Sequence, residues 1–307
     1  MAFFTGTAAR IAICFSILFA SSVCSIAQSP QSPLTLSNQQ QSQLYLLASR
    51  ILQNADKAGC KKGSCKILVN NFAGPSGATS RLGMQLADAL SAQLAAQAQG
   101  IQIVDRSKLQ EYLSRERIDS KLLEDDNAAR WLASENGATE VLVGYLRGGG
   151  TERNLHVQLL DTRDFGKKEP KSHGRTEEVT FADLGTEGDL DPAESFGKLP
   201  ELPGGEGTFQ YGKDASGHKV TPPRCTYQPD PPYSEPARTV KFQGTLVLQV
   251  LVSENSQISA MQIVKGLPFG LNEQATESVR RWRCNPVTVD GQLRATKVPI
   301  EVSFRLY

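Results

Sequence analysis

Apolar positions along this chain recur with two periods, and the switches between them lay out its elements. Leu44, Leu47 and Ile51 fall three and four residues apart with Leu52 beside them, which predicts an amphipathic helix over about 37–58. The run Ile67-Leu-Val inside 66–72 reads as a strand that Gly74 and Pro75 break, and Leu82, Leu86, Leu90 and Leu94 mark one face of a second helix. Residues 101–105 read as another strand, Ser107 as the cap of a helix through Arg117, and 127–134 as a further helix ending near Gly137. Two alternating runs, 140–145 and 154–161, are parted by Gly148-Gly-Gly150 and predict a hairpin, and 176–181 offers the same sheet one more strand.

Beyond Pro223 the pattern starts again. Residues 244–252 are aliphatic and β-branched, Ser253-Glu-Asn-Ser-Gln257 makes a turn, and 258–264 completes a hairpin. Gly266 to Gly270 then turns the chain into a helix with Asn272 as cap and a stripe of Leu271, Ala275, Val279 and Trp282, so Trp282 is assigned to the core. After Pro286 and a turn at Asp290-Gly291, residues 298–306 alternate apolar and polar, which makes a third strand with one buried face. Between the halves, acidic residues with Gly and Pro and little apolar content predict a solvated linker.

The fold class is therefore α+β, built of two small α/β-type domains: a helix-covered mixed sheet, then a three-stranded antiparallel sheet with one packed helix. Expected boundaries are a leader at 1–27, a leading amphipathic helix within 28–65, an α/β domain at 66–165, an acidic linker at 166–222 and a C-terminal domain at 223–307. The leader has Arg10 as its one charge, a short apolar run and Ser25-Ile-Ala27, the layout of a secretory signal cleaved before Gln28. The alternative is an uncleaved short anchor, the one case in which the chain would sit in a membrane.

With 307 residues, 39% hydrophobic and 21% charged, the chain is not wholly disordered, and a net charge of +1 argues against nucleic acid as a partner. Once the leader is gone, Cys60, Cys65, Cys225 and Cys284 remain, which allow three disulfide pairings. Zinc is disfavoured because no His lies near these cysteines. The loop Gly74-Pro-Ser-Gly77-Ala-Thr-Ser80 sits between strand and helix as a phosphate loop would, yet neither nucleotide fingerprint is present, and Thr79 or Ser80 reads as a helix cap. Glu187, Asp189 and Asp191 could chelate calcium but lack the twelve-position loop pattern. No G-x-S-x-G elbow occurs, His156 reads as a sheet position, and His173 and His218 lie in polar surroundings. No enzyme, metal or cofactor is expected.

One group of residues carries more. Gln228-Pro229, Pro232-Tyr233, Gln243-Gly244, and Arg280-Arg-Trp-Arg283 before Pro286 resemble the C-terminal domain of the TonB family, over about 226 to the end. The resemblance implies a periplasmic module that binds the TonB-box peptide of an outer-membrane transporter, or another periplasmic protein, by strand addition. Gln228, Pro229, Tyr233 and the last strand, with Val298, Ile300, Val302, Phe304 and Leu306, would carry that contact. An open terminal edge also admits a second copy of the chain, giving a homodimer. Cys225 and Cys284 both fall inside the TonB-like segment, which favours pairing them with each other and Cys60 with Cys65. Cys284 stands where the family often has an aromatic. Energy transduction in this family asks for a membrane helix and a long Pro-rich spacer, and the chain departs from both. The pattern Ile67-Leu-Val-Asn-Asn-Phe72, Gly83-Met-Gln-Leu-Ala-Asp-Ala-Leu90, Val104-Asp-Arg106 and Ala138-Thr-Glu-Val-Leu-Val-Gly-Tyr145 resembles the N-terminal domain of TolB and related FlgO-type and CsgG-type envelope domains.

Overall fold

The alternation of apolar residues sorts the N-terminal half into two cores on either side of one sheet. A computed structural model describes residues 35–57, 60, 63–74, 79–148, 152–168, 176–184, 202, 212–213 and 219–306. The expected leader, the calcium triad and most of the expected linker lie outside these residues. Strands β1 (Lys66–Val69), β2 (Gln102–Ile103), β3 (Glu140–Arg147), β4 (Glu152–Asp161) and β5 (Glu177–Ala182) form a mixed sheet in the order β2-β1-β3-β4-β5. β1 pairs in parallel with β2 and β3, whereas β3, β4 and β5 are antiparallel.

Helices α1 (Asn38–Lys57) and α2 (Arg81–Gln97) cover one face, where Leu44, Leu47, Ile51, Leu86 and Leu90 meet Ile67, Val69, Leu142 and Val157. The expected leucine stripe of α2 is buried at Leu82, Leu86, Leu90 and Leu94. Ser80 caps α2 by accepting a hydrogen bond from the Gly83 amide at 2.9 Å. α1 also lies along β5, the outer edge of the sheet. Gln40, Gln43 and Arg50 donate to the carbonyls of Ala182, Thr180 and Glu178, every second residue of β5. That side of the sheet is thereby closed to a further strand.

On the opposite face lie α3 (Arg106–Glu116), a 3-10 turn (Ser120–Glu124) and α4 (Asp126–Glu135). The cap of α3 is Asp105 rather than Ser107. Its carboxylate accepts from the Ser107 amide at 2.9 Å, because the helix already begins at Arg106.

In the C-terminal half, β9 (Gly244–Val252) is flanked by β10 (Ile258–Lys265) and β14 (Thr296–Phe304), both antiparallel to it. Helix α6 (Leu271–Arg280) packs Leu271, Ala275 and Val279 into the core they share with Leu246, Leu248 and Val250 of β9. Asn272 is not the cap of α6. Gly270, left-handed at φ 74°, occupies the capping position without a side-chain bond, and Asn272 is buried within the first turn.

Several short elements carried no periodic signal: α5 (Glu235–Thr239), β6 (Gly212–Lys213), β7 (Lys219–Thr221), β8 (Arg224–Tyr227), β11 (Arg283–Asn285), β12 (Val287–Val289) and β13 (Gln292–Arg294). Among them, β11 pairs with β8, and β13-β12-β7-β6 form a small sheet whose β12–β13 turn is Asp290-Gly291, both at positive φ. Disulfides join Cys60 to Cys65 and Cys225 to Cys284, the second across the β8–β11 pair.

The halves share a core. One buried cluster runs from Leu109, Trp131 and Leu160 to Leu248, Phe269 and Val302. Phe269, fully buried, is ringed by Trp131 at 5.4 Å, Phe242 at 5.1 Å and Phe165 at 6.1 Å between ring centres. Beside it the Gly266 amide donates to the Arg117 carbonyl at 2.9 Å. A Cβ at Gly266 would stand 1.9 Å from the Glu116 carbonyl oxygen, so only glycine permits the approach. Asn272 closes the joint, donating to the Glu116 carbonyl at 2.9 Å and accepting from the Leu267 amide at 2.8 Å.

Candidate functional site

The edge that β14 presents is set by a proline. Register with β9 is unbroken from Thr296 opposite Val252 to Phe304 opposite Gly244, and Pro299 falls inside it opposite Gln249. A proline nitrogen cannot donate, so within an intact ladder it has to face away from β9. By alternation Lys297, Glu301 and Ser303 also turn their N–H and C=O groups outward. Ser303 and Thr245 stand opposite each other with hydroxyls 3.1 Å apart, as expected for a pair whose main chains do not bond to one another. Beyond β14 there is no further strand among the described residues. The other edge, β10, slips register between Ile258 and Ala260 and again between Ile263 and Lys265, and such irregularities hinder strand addition.

The side chains expected at the contact divide. Ile300, Val302 and Phe304 are buried in the core, Val298 and Leu306 are half-buried, and the open face of β14 carries Pro299, Glu301 and Ser303. What β14 offers a partner is therefore its main chain. Tyr233 stands edge-on to Phe304 at 5.5 Å and donates its hydroxyl to the Phe242 carbonyl at 2.8 Å, so it joins the end of β14. The carbonyl of Pro229 accepts from Ser278 at 2.5 Å and from the Trp282 indole at 3.2 Å. These bonds lay 229–233 along α6, while Gln228 is exposed at the far end next to β8. Trp282 is 8% exposed and belongs to the core. The structure thus brings Tyr233 to the end of β14.

A second concavity, of about 600 Å³, opens on the N-terminal sheet where α4 stops covering it. Tyr145, Arg147 and His156 line it from β3 and β4, Glu124 and Asp126 from the 3-10 turn and the start of α4, and Gly74 and Thr79 from either end of the Gly74–Ser80 loop. Residues 75–78 of that loop lie outside the described residues. Periodicity gave His156 a place on the sheet. Its stacking on Tyr145 at 4.8 Å and its approach to Glu178 at 3.3 Å depend on register with β3 and β5, which no local pattern reveals.

Deeper in the same half, Glu140 is 3% exposed and lies near Asp161 and Asp164. Burial, then the charge of Asp161, pushes its carboxyl up to about 8. Asp161 is held by Arg163 at 2.6 Å and Asp164 by Lys167 at 2.6 Å. Among the described residues no group of three or more His, Cys, Asp or Glu is arranged to hold a metal, and no helix is long and apolar enough to cross a membrane.

Residues 229–306 match the family described as Gram-negative bacterial TonB protein C-terminal. Among curated proteins no relative matches. Of solved structures, the LpoB C-terminal domain from Salmonella enterica aligns at 18% identity over 45% of this chain and 95% of its own, with a TM-score of 0.34. Lipoprotein GNA1162 from Neisseria meningitidis aligns at 14% identity over 38% of this chain and 80% of its own, with a TM-score of 0.31. The Pseudomonas aeruginosa TonB C-terminal domain aligns at 15% identity over 28% of this chain and 89% of its own, with a TM-score of 0.23.

Proposed function

We propose that this chain is a non-catalytic periplasmic protein of the cell envelope that holds a partner by strand addition along β14. The partner is the TonB-box peptide of an outer-membrane transporter or another periplasmic protein. The observation that carries this is the outward main chain of Lys297, Glu301 and Ser303 on an edge left open, while α1 closes the edge at β5. The family match over 229–306 supports it. The join at Phe269 favours holding over reaching, because it fixes the module to a folded platform, the half that resembles TolB-type domains, and not to a stiff spacer.

Titration of isotope-labelled protein with synthetic TonB-box peptides tests the transporter reading, with amide shifts expected at Lys297, Glu301 and Ser303. Ser303→Pro removes one outward donor and the exposed hydroxyl contact to Thr245 without touching the main-chain bonds to β9, so it should keep the fold and weaken binding about tenfold. A photo-crosslinker placed at Glu301 in cells reports on any other periplasmic partner. Silence in both experiments would sink strand addition at this edge.

A further inference from the structure

The cleft on the N-terminal sheet lies on the half that the strand-addition edge does not use, and its walls differ in charge. On one side the register sets Tyr145 opposite His156, with the rings stacked at an interplanar angle of 16°. The Arg147 guanidinium lies over the same tyrosine ring, 4.7 Å from its centre. Tyr145 is 38% exposed and lines the cleft, with its ring braced by the Arg147 cation. On the other side are the carboxylates of Glu124 and Asp126. Asp126 makes a long contact to Arg130, at 3.7 Å. Between the walls, Leu123 and Val143 supply an apolar floor.

Asn71, also in the lining, accepts hydrogen bonds through Oδ1 from the buried Arg106 at 2.8 Å and from Gln110 at 2.6 Å. Both bonds engage its acceptor, which fixes the side-chain flip and leaves its N–H groups as donors. Gly144 completes the floor, with the Phe72 ring packed where a Cβ would stand 2.7 Å from it. The cleft thus offers a basic, aromatic wall, an acidic wall, an oriented amide and a dry floor in a volume suited to a small molecule.

We propose that this cleft binds a small dipolar ligand with a carboxylate and an amine, a free amino acid or short peptide. The carboxylate is met by Arg147, the ammonium by Glu124 and Asp126, and the side chain rests on Leu123 and Val143. An anion alone would leave the acidic wall facing it, and a cation alone would meet Arg147. A ligand with both charges satisfies both walls.

The experiment uses the full chain and calorimetric titration with L-alanyl-L-alanine, its N-acetyl derivative, its C-terminal amide and free L-alanine. Saturable heat at millimolar dipeptide is expected, with about tenfold weaker binding when either end is capped, the loss of one charge-assisted hydrogen bond. Alanine separates the amino-acid source from the peptide source by its own affinity. Arg147→Ala, on an exposed side chain, should weaken the free dipeptide about tenfold and leave the amide unchanged, and Glu124→Gln should do the converse with the N-acetyl form. No heat with any probe, or equal binding of capped and free forms, overturns the proposal. Ser303→Pro leaves the dipeptide titration unaltered, so failure here and failure of strand addition are told apart.

Discussion

Glu140 shows how a single buried carboxyl reaches the stability of the whole chain. Its folded pKa is raised from an ordinary 4.5 to about 8, so between those values the folded state binds a proton that the unfolded state has released. Stability from this group is full below about pH 4.5 and is lost as pH rises towards 8. Urea melts at pH 6 and pH 9 should show Glu140→Gln losing less stability across that window than the native chain, by a few kcal/mol at most. Phe269 is the other residue with a clear expectation. Truncation to alanine empties a site walled by Trp131, Phe165 and Phe242, which should cost about 3 to 5 kcal/mol in denaturant melts. At this scale local pattern reached the leucines of α2 but not Asn272. Its type and place suggested a cap, whereas its partner Glu116 lies 156 residues away in sequence.

Elements were legible where a face repeats and obscure where a partner defines them. β9, β10 and β14 announce themselves by alternation, and the free edge of β14 follows from its terminal place in the order. β8 and β11 do not, since Arg-Cys-Thr-Tyr and Arg-Cys-Asn have no period, and what pairs them is the ladder across Cys225 and Cys284. That disulfide spans a sequence separation of 59, so replacing both cysteines by serine should lower stability by about 3 to 4 kcal/mol while leaving the β9–β14 ladder in place. Denaturant melts with a circular dichroism check of the native fold measure it. α1, expected to stand apart from the α/β domain as a leading helix, sends three side chains to seal β5. The paired change Gln40→Ala with Gln43→Ala should therefore speed hydrogen exchange in β5 and raise self-association, which exchange rates and light scattering would report.

At the scale of the molecule, composition and pattern described two domains with a solvated spacer between them. Among the described residues, a hydrophobic cluster joins the two halves across the expected boundary. No sequence pattern pointed there, because the crossing depends on Gly266 and Phe269 in a turn, where apolar residues look like exceptions rather than core. A single calorimetric transition, with van't Hoff and calorimetric enthalpies in agreement, is expected, and two separate transitions would contradict the shared cluster. The cleft was equally hidden, since its walls come from β3, β4 and a 3-10 turn with no motif among them.

The buried position of Phe269 also bears on how this protein should be handled at the bench. A fragment cut to the matched segment, 229–306, would carry Phe269, Phe242 and the whole of α6 but lose Trp131, Tyr112 and Phe165, leaving a raw aromatic wound. Such a surface heals by sticking to another copy. Dimers or precipitates seen with the excised piece would then record the scar of the excision, and the physiological assembly is to be sought with residues 34–307 intact.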